Sequence, residues 1–340
     1  MTIDFRSDTF TKPTPGMLQA MTNAATGDDV FGEDPSINKL EAMMADYFGK
    51  EAALYCPSGT MSNQIAIKVH TQPGDEVICS STAHVYIYEG GGIAFNAGAQ
   101  ARPIEGERGL ISATQVAAAI NNPDDVHKAT TTLVCLENTA NRGGGCCYAQ
   151  EEIARIKTVC QENNLKLHLD GARLFNAIVA GGENPRTYGE LFDTISVCLN
   201  KGMGCPMGSV LLGSAPFIKS ARRIRKKLGG GLRQAGFMAA TGIYAMEHHI
   251  ARLAEDHFHA KQIAKALLEK NFVGHMLPVE TNILIFEVLG DWTPKYFTDF
   301  MKKYDILVMP ISDTQVRMVT HLDVTPEMIA TTCEVIASME

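Results

Sequence analysis

The sequence predicts an α/β protein: a large domain built on a mainly parallel, helix-covered sheet, followed by a smaller C-terminal α+β domain. Two observations carry this. From about residue 50 to 215, apolar runs of strand length alternate with helically spaced segments, the grammar of a parallel sheet. After about residue 235 that alternation stops, and a long helical segment precedes short strands and further helices. Across 340 residues there is no internal repeat, low-complexity tract or linker. The expected division is an arm (1–15), a large domain (16–241) and a small domain (242–340).

In chain order, the residues before about 50 are expected to form the arm and a first helix. Strands follow at Ala52–Tyr55, Glu76–Ser80, Thr132–Glu137, Leu165–Asp170, Thr194–Leu199 and Ser209–Gly213, each a short apolar run. Helical spacing marks Thr60–Val69, Thr114–Ile120, Gln150–Asn163 and Ala172–Val179. Gly242–Leu268 reads as one long surface helix with apolar positions Ile250, Leu253, Phe258, Ile263 and Leu267. Thr281–Val288, Ile306–Met309 and Gln315–Thr320 then read as strands, and Pro294–Tyr304 and Pro326–Met339 as helices.

Composition narrows the function. A hydrophobic share of 45% and a charged share of 20% are ordinary for a soluble globular chain. A net charge of −8 argues against a protein built to grip nucleic acid or an anionic membrane. The stretch Met1–Asp8 is too polar for a signal peptide, and no apolar run approaches membrane length. Nine cysteines, an odd number without a C-x-x-C pair, read as buried free thiols. They suit a reducing compartment, so a cytoplasmic protein is expected.

The chemistry concentrates at strand ends, where open α/β sheets bind their ligands. Lys201 follows the apolar run Thr194–Leu199 and is itself followed by Gly-Met-Gly-Cys-Pro. A primary amine there is poorly solvated, which favours its neutral, nucleophilic form. Thirty-one residues earlier, Leu165-Lys-Leu-His-Leu-Asp170-Gly-Ala-Arg173 places an acid and an arginine at another strand end. A lysine for a Schiff base and an aspartate for a pyridinium nitrogen are what pyridoxal phosphate (PLP) requires of a protein. Glu137 falls at a third such end.

The remaining candidates complete that site. Cys56-Pro-Ser58-Gly59-Thr60 leaves a strand and opens a helix; alone it is a plain N-cap, but beside Asp170 and Lys201 it reads as a phosphate cradle. In Arg222–Lys227 and Gly229-Gly-Gly231-Leu-Arg233, most cations read as a solvated helix face. Arg233 and one neighbouring lysine are the exception, because three glycines allow close approach to a phosphate. His84 opens a helix after a strand, where its ring suits either stacking on a flat cofactor or acting as a base. His127, in Asp124-Asp-Val-His127, is a weaker candidate of the same kind. Arg317 puts a cation in an apolar strand and needs an anion there, a substrate carboxylate or an internal acid. Gly90-Gly-Gly92-x5-Gly98 follows no strand of a βαβ unit, and no Walker A sequence occurs. His248, His249, His257 and His259 lack a convergent Cys or carboxylate pattern, so no metal is expected.

Taken in order, these segments resemble the low-specificity L-threonine aldolases, in the β-eliminating lyase group of the aspartate-aminotransferase-like (PLP type I) fold. The resemblance covers nearly the whole chain. Its carriers include Phe5-Arg-Ser7-Asp8-Thr, Gly27–Pro35, Pro57–Thr60, Ala83-His84, Leu136–Thr139, His168–Arg173, Lys201-Gly, Gly229–Gln234 and Val316–Asp323. It implies PLP on Lys201, Asp170 against the ring nitrogen, Arg173 near the phenolate oxygen and His84 stacked on the ring. It further implies Gly59 and Thr60 at the phosphate, helped by Lys226 and Arg233 of a neighbouring subunit, and Ser7 and Arg317 at the substrate carboxylate. Members are dimers or tetramers with active sites between subunits, so a homodimer or homotetramer is expected. The chain departs from the pattern at Asn200, at Ala140 and in Arg142–Cys147.

The implied reaction is aldol cleavage of L-threonine, L-allo-threonine and related β-hydroxy-α-amino acids to glycine and an aldehyde. His84, directly or through water, would remove the β-hydroxyl proton. The same residues would serve another PLP enzyme, a β-eliminating lyase or an aminotransferase. A non-catalytic binding protein on this fold is the alternative of a different class.

Overall fold

The computed structural model describes residues 2–339. Met1 and Glu340 lie outside the described residues. The arm opens with β1 (Ile3–Asp4) and leads to α1 (Pro15–Thr22) and α2 (Pro35–Phe48). Two helices therefore stand where one was expected. Each starts with proline after a capping side chain, Thr14 for α1 and Asp34 for α2.

The large sheet comprises β2 (Ala52–Cys56), β3 (Asp75–Ser80), β4 (Gln100–Ile104), β5 (Thr130–Glu137), β6 (Lys166–Gly171), β7 (Thr194–Cys198) and β8 (Ser209–Gly213). Their order is β2-β8-β7-β6-β5-β3-β4, and only β8 runs antiparallel to its neighbours. Every residue of β7 and β8 is buried, because helices cover both faces and leave no side for water. The covering helices are α3 (Gly59–His70), the short α4 (His84–Ile87), α5 (Ala113–Ala119), α6 (Gln150–Glu162), α7 (Leu174–Gly181), α8 (Pro185–Leu191), α9 (Ala215–Lys227) and α10 (Gly236–His248). The strand β4 has no counterpart in the sequence reading. It lies at the sheet edge and carries Pro103 and two exposed positions, so it lacks an apolar signature.

The second sheet orders β12 (Met309–Pro310), β13 (Gln315–Val319), β10 (Ile283–Val288) and β9 (Val273–Met276), all antiparallel. It packs with α11 (Leu253–Leu268), α12 (Pro294–Lys302) and α13 (Pro326–Ala337). The run expected as one strand from Ile306 serves two sheets. Its first part, β11 (Ile306–Leu307), pairs with β1 of the arm, and its second part is β12. Ile3 and Phe5 thereby enter the core formed by Leu284, Phe286 and Phe297.

The helix expected over Gly242–Leu268 is two helices, α10 and α11, interrupted at 249–252. Ala239, Ala245 and Met246 belong to the core of the large sheet, whereas Ala260, Ile263 and Leu267 belong to the other. Helical periodicity continues across the turn, so spacing alone cannot reveal it. Nor is this a surface helix: His249, His257 and His259 are buried, His249 on the Met203 carbonyl at 2.7 Å and His257 on Asn176 at 3.2 Å.

Candidate active site

The carboxyl ends of β3, β5, β6 and β7 converge, and the arm and second sheet close over them. His84 opens α4 after β3, Glu137 ends β5, Asp170 nears the end of β6, and Lys201 follows β7. Ser7 comes from the arm and Arg317 from β13. Ser7, His84, Glu137, Arg173, Lys201 and Arg317 line one cavity of about 400 Å³.

Lys201 lines this cavity, and Asp170 lies beside it, its carboxylate within 4.8 Å of the His84 ring nitrogen. Asp170 is 2% exposed; its Oδ1 accepts from the Ala172 amide at 3.1 Å, while Oδ2 has no partner among the described residues. A buried carboxylate oxygen left this way calls for a donor. The Lys201 amine lies 3.6 Å from Cys198 Sγ, and the same thiol abuts Gly59, where a Cβ would run into the sulfur. Ser58, Gly59 and Thr60 at the start of α3 are thereby placed close to Lys201. Ser58 is the N-cap, with Oγ accepting from the Met61 amide at 3.2 Å. A free amine, an unpartnered buried carboxylate and the amino end of a twelve-residue helix fit the aldehyde, ring nitrogen and phosphate of PLP.

The cations divide into two kinds. Arg173 is spent on Asp8 through two bonds of 2.7 Å, both side chains buried. Burial opposes ionisation of Asp8, but the adjoining Arg173 guanidinium, with Lys201 and His321, holds its carboxyl well below the usual carboxylate range. A lowered acid contributes stability above its unfolded value, about pH 4, and loses it only as pH falls through the lower folded value. Asp8→Asn leaves Arg173 charged and half-partnered, and is expected to cost about 3–5 kcal/mol at neutral pH, read from denaturant unfolding.

Arg317 is the other kind. Its guanidinium donates to Asn141 Oδ1 at 3.0 Å and to the Arg6 carbonyl at 3.1 Å, while Nε has no partner among the described residues. No carboxylate forms an ion pair with it among the described residues. Burial, then the like charge of Arg173, pushes it down to about 10. Among the described residues the internal salt bridge left open above is therefore absent, and an anion is called for in the cavity.

His84 bonds through Nδ1 to Glu89 Oε1 at 3.0 Å, leaving Nε2 for the cavity. Burial opposes charging of the ring, but the Glu89 bond and the nearby Asp170 and Glu137 charges prevail and raise its pKa. Glu137 accepts from the backbone amides of His84 and Asn141, each at 2.9 Å. Burial and the Asp170 charge push its carboxyl up. His84, Glu89 and Asp170 offer ligand atoms within 4.8 Å of one another. The amides of Asn63 and Gln64 already donate to both Glu89 oxygens, an arrangement suited to holding an anion by hydrogen bonds.

Three sequence candidates are not brought to the cavity of their own chain. His127 stands on an exposed loop, its side chain 88% accessible and turned to Asp125. Arg233 pairs with Asp28 at 2.7 Å, and Lys226 lies in the last turn of α9 beside Gly231. The basic run before them is not a solvated face throughout: Arg225 is buried on Asp29 at 2.7 Å, and Arg222 binds Glu41. Sequence reading assigned no role to Asp8, Glu89 or Asn141. Asp8 lies in a quoted motif and Asn141 just beyond another, but their partners are 165 and 176 residues away.

The chain is also similar to known proteins over nearly its whole length. Residues 4–289 match the beta-eliminating lyase family model. The chain is 42% identical over 331 residues to the low specificity L-threonine aldolase of Escherichia coli K12, covering 96% of each. The threonine aldolase of Leishmania major superposes with a TM-score of 0.84 at 21% identity, covering 98% of both chains. A serine palmitoyltransferase from S. paucimobilis with bound PLP superposes at 0.77 with 15% identity, over 99% of this chain and 87% of that one. By family match, sequence identity and shared fold, this chain is a member of the beta-eliminating lyase family.

Proposed function

We propose that this chain uses PLP to cleave L-threonine, L-allo-threonine and related β-hydroxy-α-amino acids to glycine and an aldehyde. The observation that carries the reading is Arg317, a cation without an acidic partner among the described residues, facing the cavity of Lys201 and His84. The substrate named for the E. coli relative supports it.

Bound PLP supplies an electron sink for the pair released when the bond between Cα and Cβ breaks. Lys201 would hold it through Nζ, Asp170 Oδ2 would accept from its ring nitrogen, and Ser58, Gly59 and Thr60 would face its phosphate, with Arg173 at the ring edge. Arg317, steadied by Asn141, takes the substrate carboxylate, with Ser7 Oγ on the same wall. Fixing the carboxylate orients the Cα–Cβ bond for cleavage. His84 takes the β-hydroxyl proton on Nε2 as the carbonyl forms, and Lys201 or water returns a proton to the α-carbon.

The proposal includes a homodimer or homotetramer in which a neighbouring subunit brings Lys226, Arg233 and His127 to this cavity. In support, all three lie outside the cavity of their own chain, and Phe31 and Phe95 stand 74% and 88% exposed. It also includes a reducing, cytoplasmic setting, supported by nine free cysteines. Among the described residues no helix is long and apolar enough to cross a membrane.

Purified protein supplied with PLP is expected to release aldehyde and glycine from L-threonine, L-allo-threonine and phenylserine. No aldehyde from any of the three would overturn the reading. Arg317→Gln is expected to lower kcat/KM about 10- to 100-fold, mainly by raising KM, because a charge-assisted contact to the carboxylate is lost.

A further inference from the structure

A line of buried hydrogen bonds connects His84 to the amino end of β7, and none of its inner members touches the cavity. Glu89 Oε1 accepts from His84 Nδ1 at 3.0 Å and from Asn63 Nδ2 at 2.9 Å; Oε2 accepts from Gln64 Nε2 at 2.6 Å. Asn63 Oδ1 meets His168 Nε2 at 3.1 Å, and His168 Nδ1 meets Thr194 Oγ1 at 2.9 Å. Thr194 Oγ1 in turn meets His70 Nε2 at 3.0 Å, where the His70 ring stacks on Phe217. Asn63, Gln64, Glu89, His168 and Thr194 are all at most 7% exposed.

The donors and acceptors in this line have one consistent direction. Glu89 is surrounded by two amide NH2 groups and an imidazole, and a carboxylate satisfies all three as acceptor. With its NH2 on Glu89, the Asn63 amide must present its oxygen to His168, so His168 Nε2 carries the proton. Burial pushes His168 down to about 3 and His70 to about 4, so both rings are neutral. His168 Nδ1 therefore accepts from the Thr194 hydroxyl, which accepts from His70 Nε2–H. Each link fixes the next outward from Glu89, and the same carboxylate holds the His84 proton on Nδ1.

We propose that Glu89 is the positioning residue for His84, and that the Asn63–His168–Thr194–His70 line locks the Asn63 amide so that Glu89 stays an acceptor and His84 Nε2 stays open to the substrate. This rests on His84 being the proton acceptor of the reaction. The arrangement does for His84 what a buried carboxylate does for a catalytic imidazole in other enzymes: it fixes the tautomer and supports the charged form. Gln64 is tied in the same way, its Oε1 accepting from Asn96 Nδ2 at 3.1 Å. The groups facing His84 are Glu89 after α4, Glu137 from β5, Asp170 from β6, the Tyr88 ring at 5.7 Å, and the cavity cations Lys201, Arg142, Arg173 and Arg317.

The test measures the His84 pKa in two ways, by the acid limb of kcat/KM in the holoenzyme and by 15N-histidine NMR titration of the same protein. In Glu89→Gln the neutral amide cannot support imidazolium, and its NH2 opposes neighbouring donors. Both readouts are expected to fall by about one unit or more, and kcat by about 10- to 100-fold. Thr194→Val, which leaves every cavity residue in place, is expected to move both readouts the same way by a smaller amount. It carries the test should Glu89→Gln fail to fold. Unmoved values in Glu89→Gln overturn the positioning role, and unmoved values in Thr194→Val overturn the line behind it. A His84→Asn enzyme with full rate and an intact acid limb would instead overturn the role of His84. The NMR titration would still report on Glu89.

Discussion

Lys201→Ala is expected to abolish cleavage, lowering kcat on the order of 10⁴-fold or more, while the protein remains folded. The Lys201 side chain contributes little to the core. Its amine bonds the Cys198 thiol, and the loop is held by backbone, with the Lys201 carbonyl accepting from the Gly204 amide at 2.8 Å and from Thr11 Oγ1 at 3.3 Å. The check is paired: the visible absorbance of PLP held on a lysine, present in the parent after desalting, is lost in the variant. The melting temperature stays close to that of the parent.

Asp170→Asn should come next in severity, with kcat falling about 10²- to 10³-fold and substrate KM changing much less. Asparagine can still accept from the Ala172 amide through its oxygen. The price is that an NH2 group then occupies the place of Oδ2, so two donors face each other where the ring nitrogen binds. The substitution also removes one of the negative charges that raise the His84 pKa. The acid limb of the rate profile is therefore expected at lower pH, because imidazolium is less well supported. Steady-state kinetics across pH, with PLP saturating, checks both effects.

The sequence made the large sheet readable because β5 to β8 are buried almost throughout, so each carries a short, mainly apolar run, and in β5 and β6 an acid stands at its end. Asp170, Lys201 and Arg317 stood out by that contrast. What stayed hidden depends on contacts between distant segments. Glu89 and His168 look like ordinary polar residues until Asn63, 26 and 105 residues from them, joins the two. Arg173, next to the strand end, gave no sign of its partner, because the arm folds back to supply Asp8. The break between α10 and α11 was invisible for a related reason. The apolar period runs on while the core it serves changes. Edge strands β4 and β9 lacked the pattern because water or loops cover one side.

Which bond of L-threonine is broken is decided by its fate in the presence of the purified holoenzyme, with all four candidate products quantified together. Acetaldehyde and glycine in equal amounts are expected, because the cavity holds the carboxylate on Arg317 and places His84 for the hydroxyl proton. Conversion to 2-oxobutyrate and ammonia would show that the Cβ–O bond, not the Cα–Cβ bond, is the one broken, and would contradict the account.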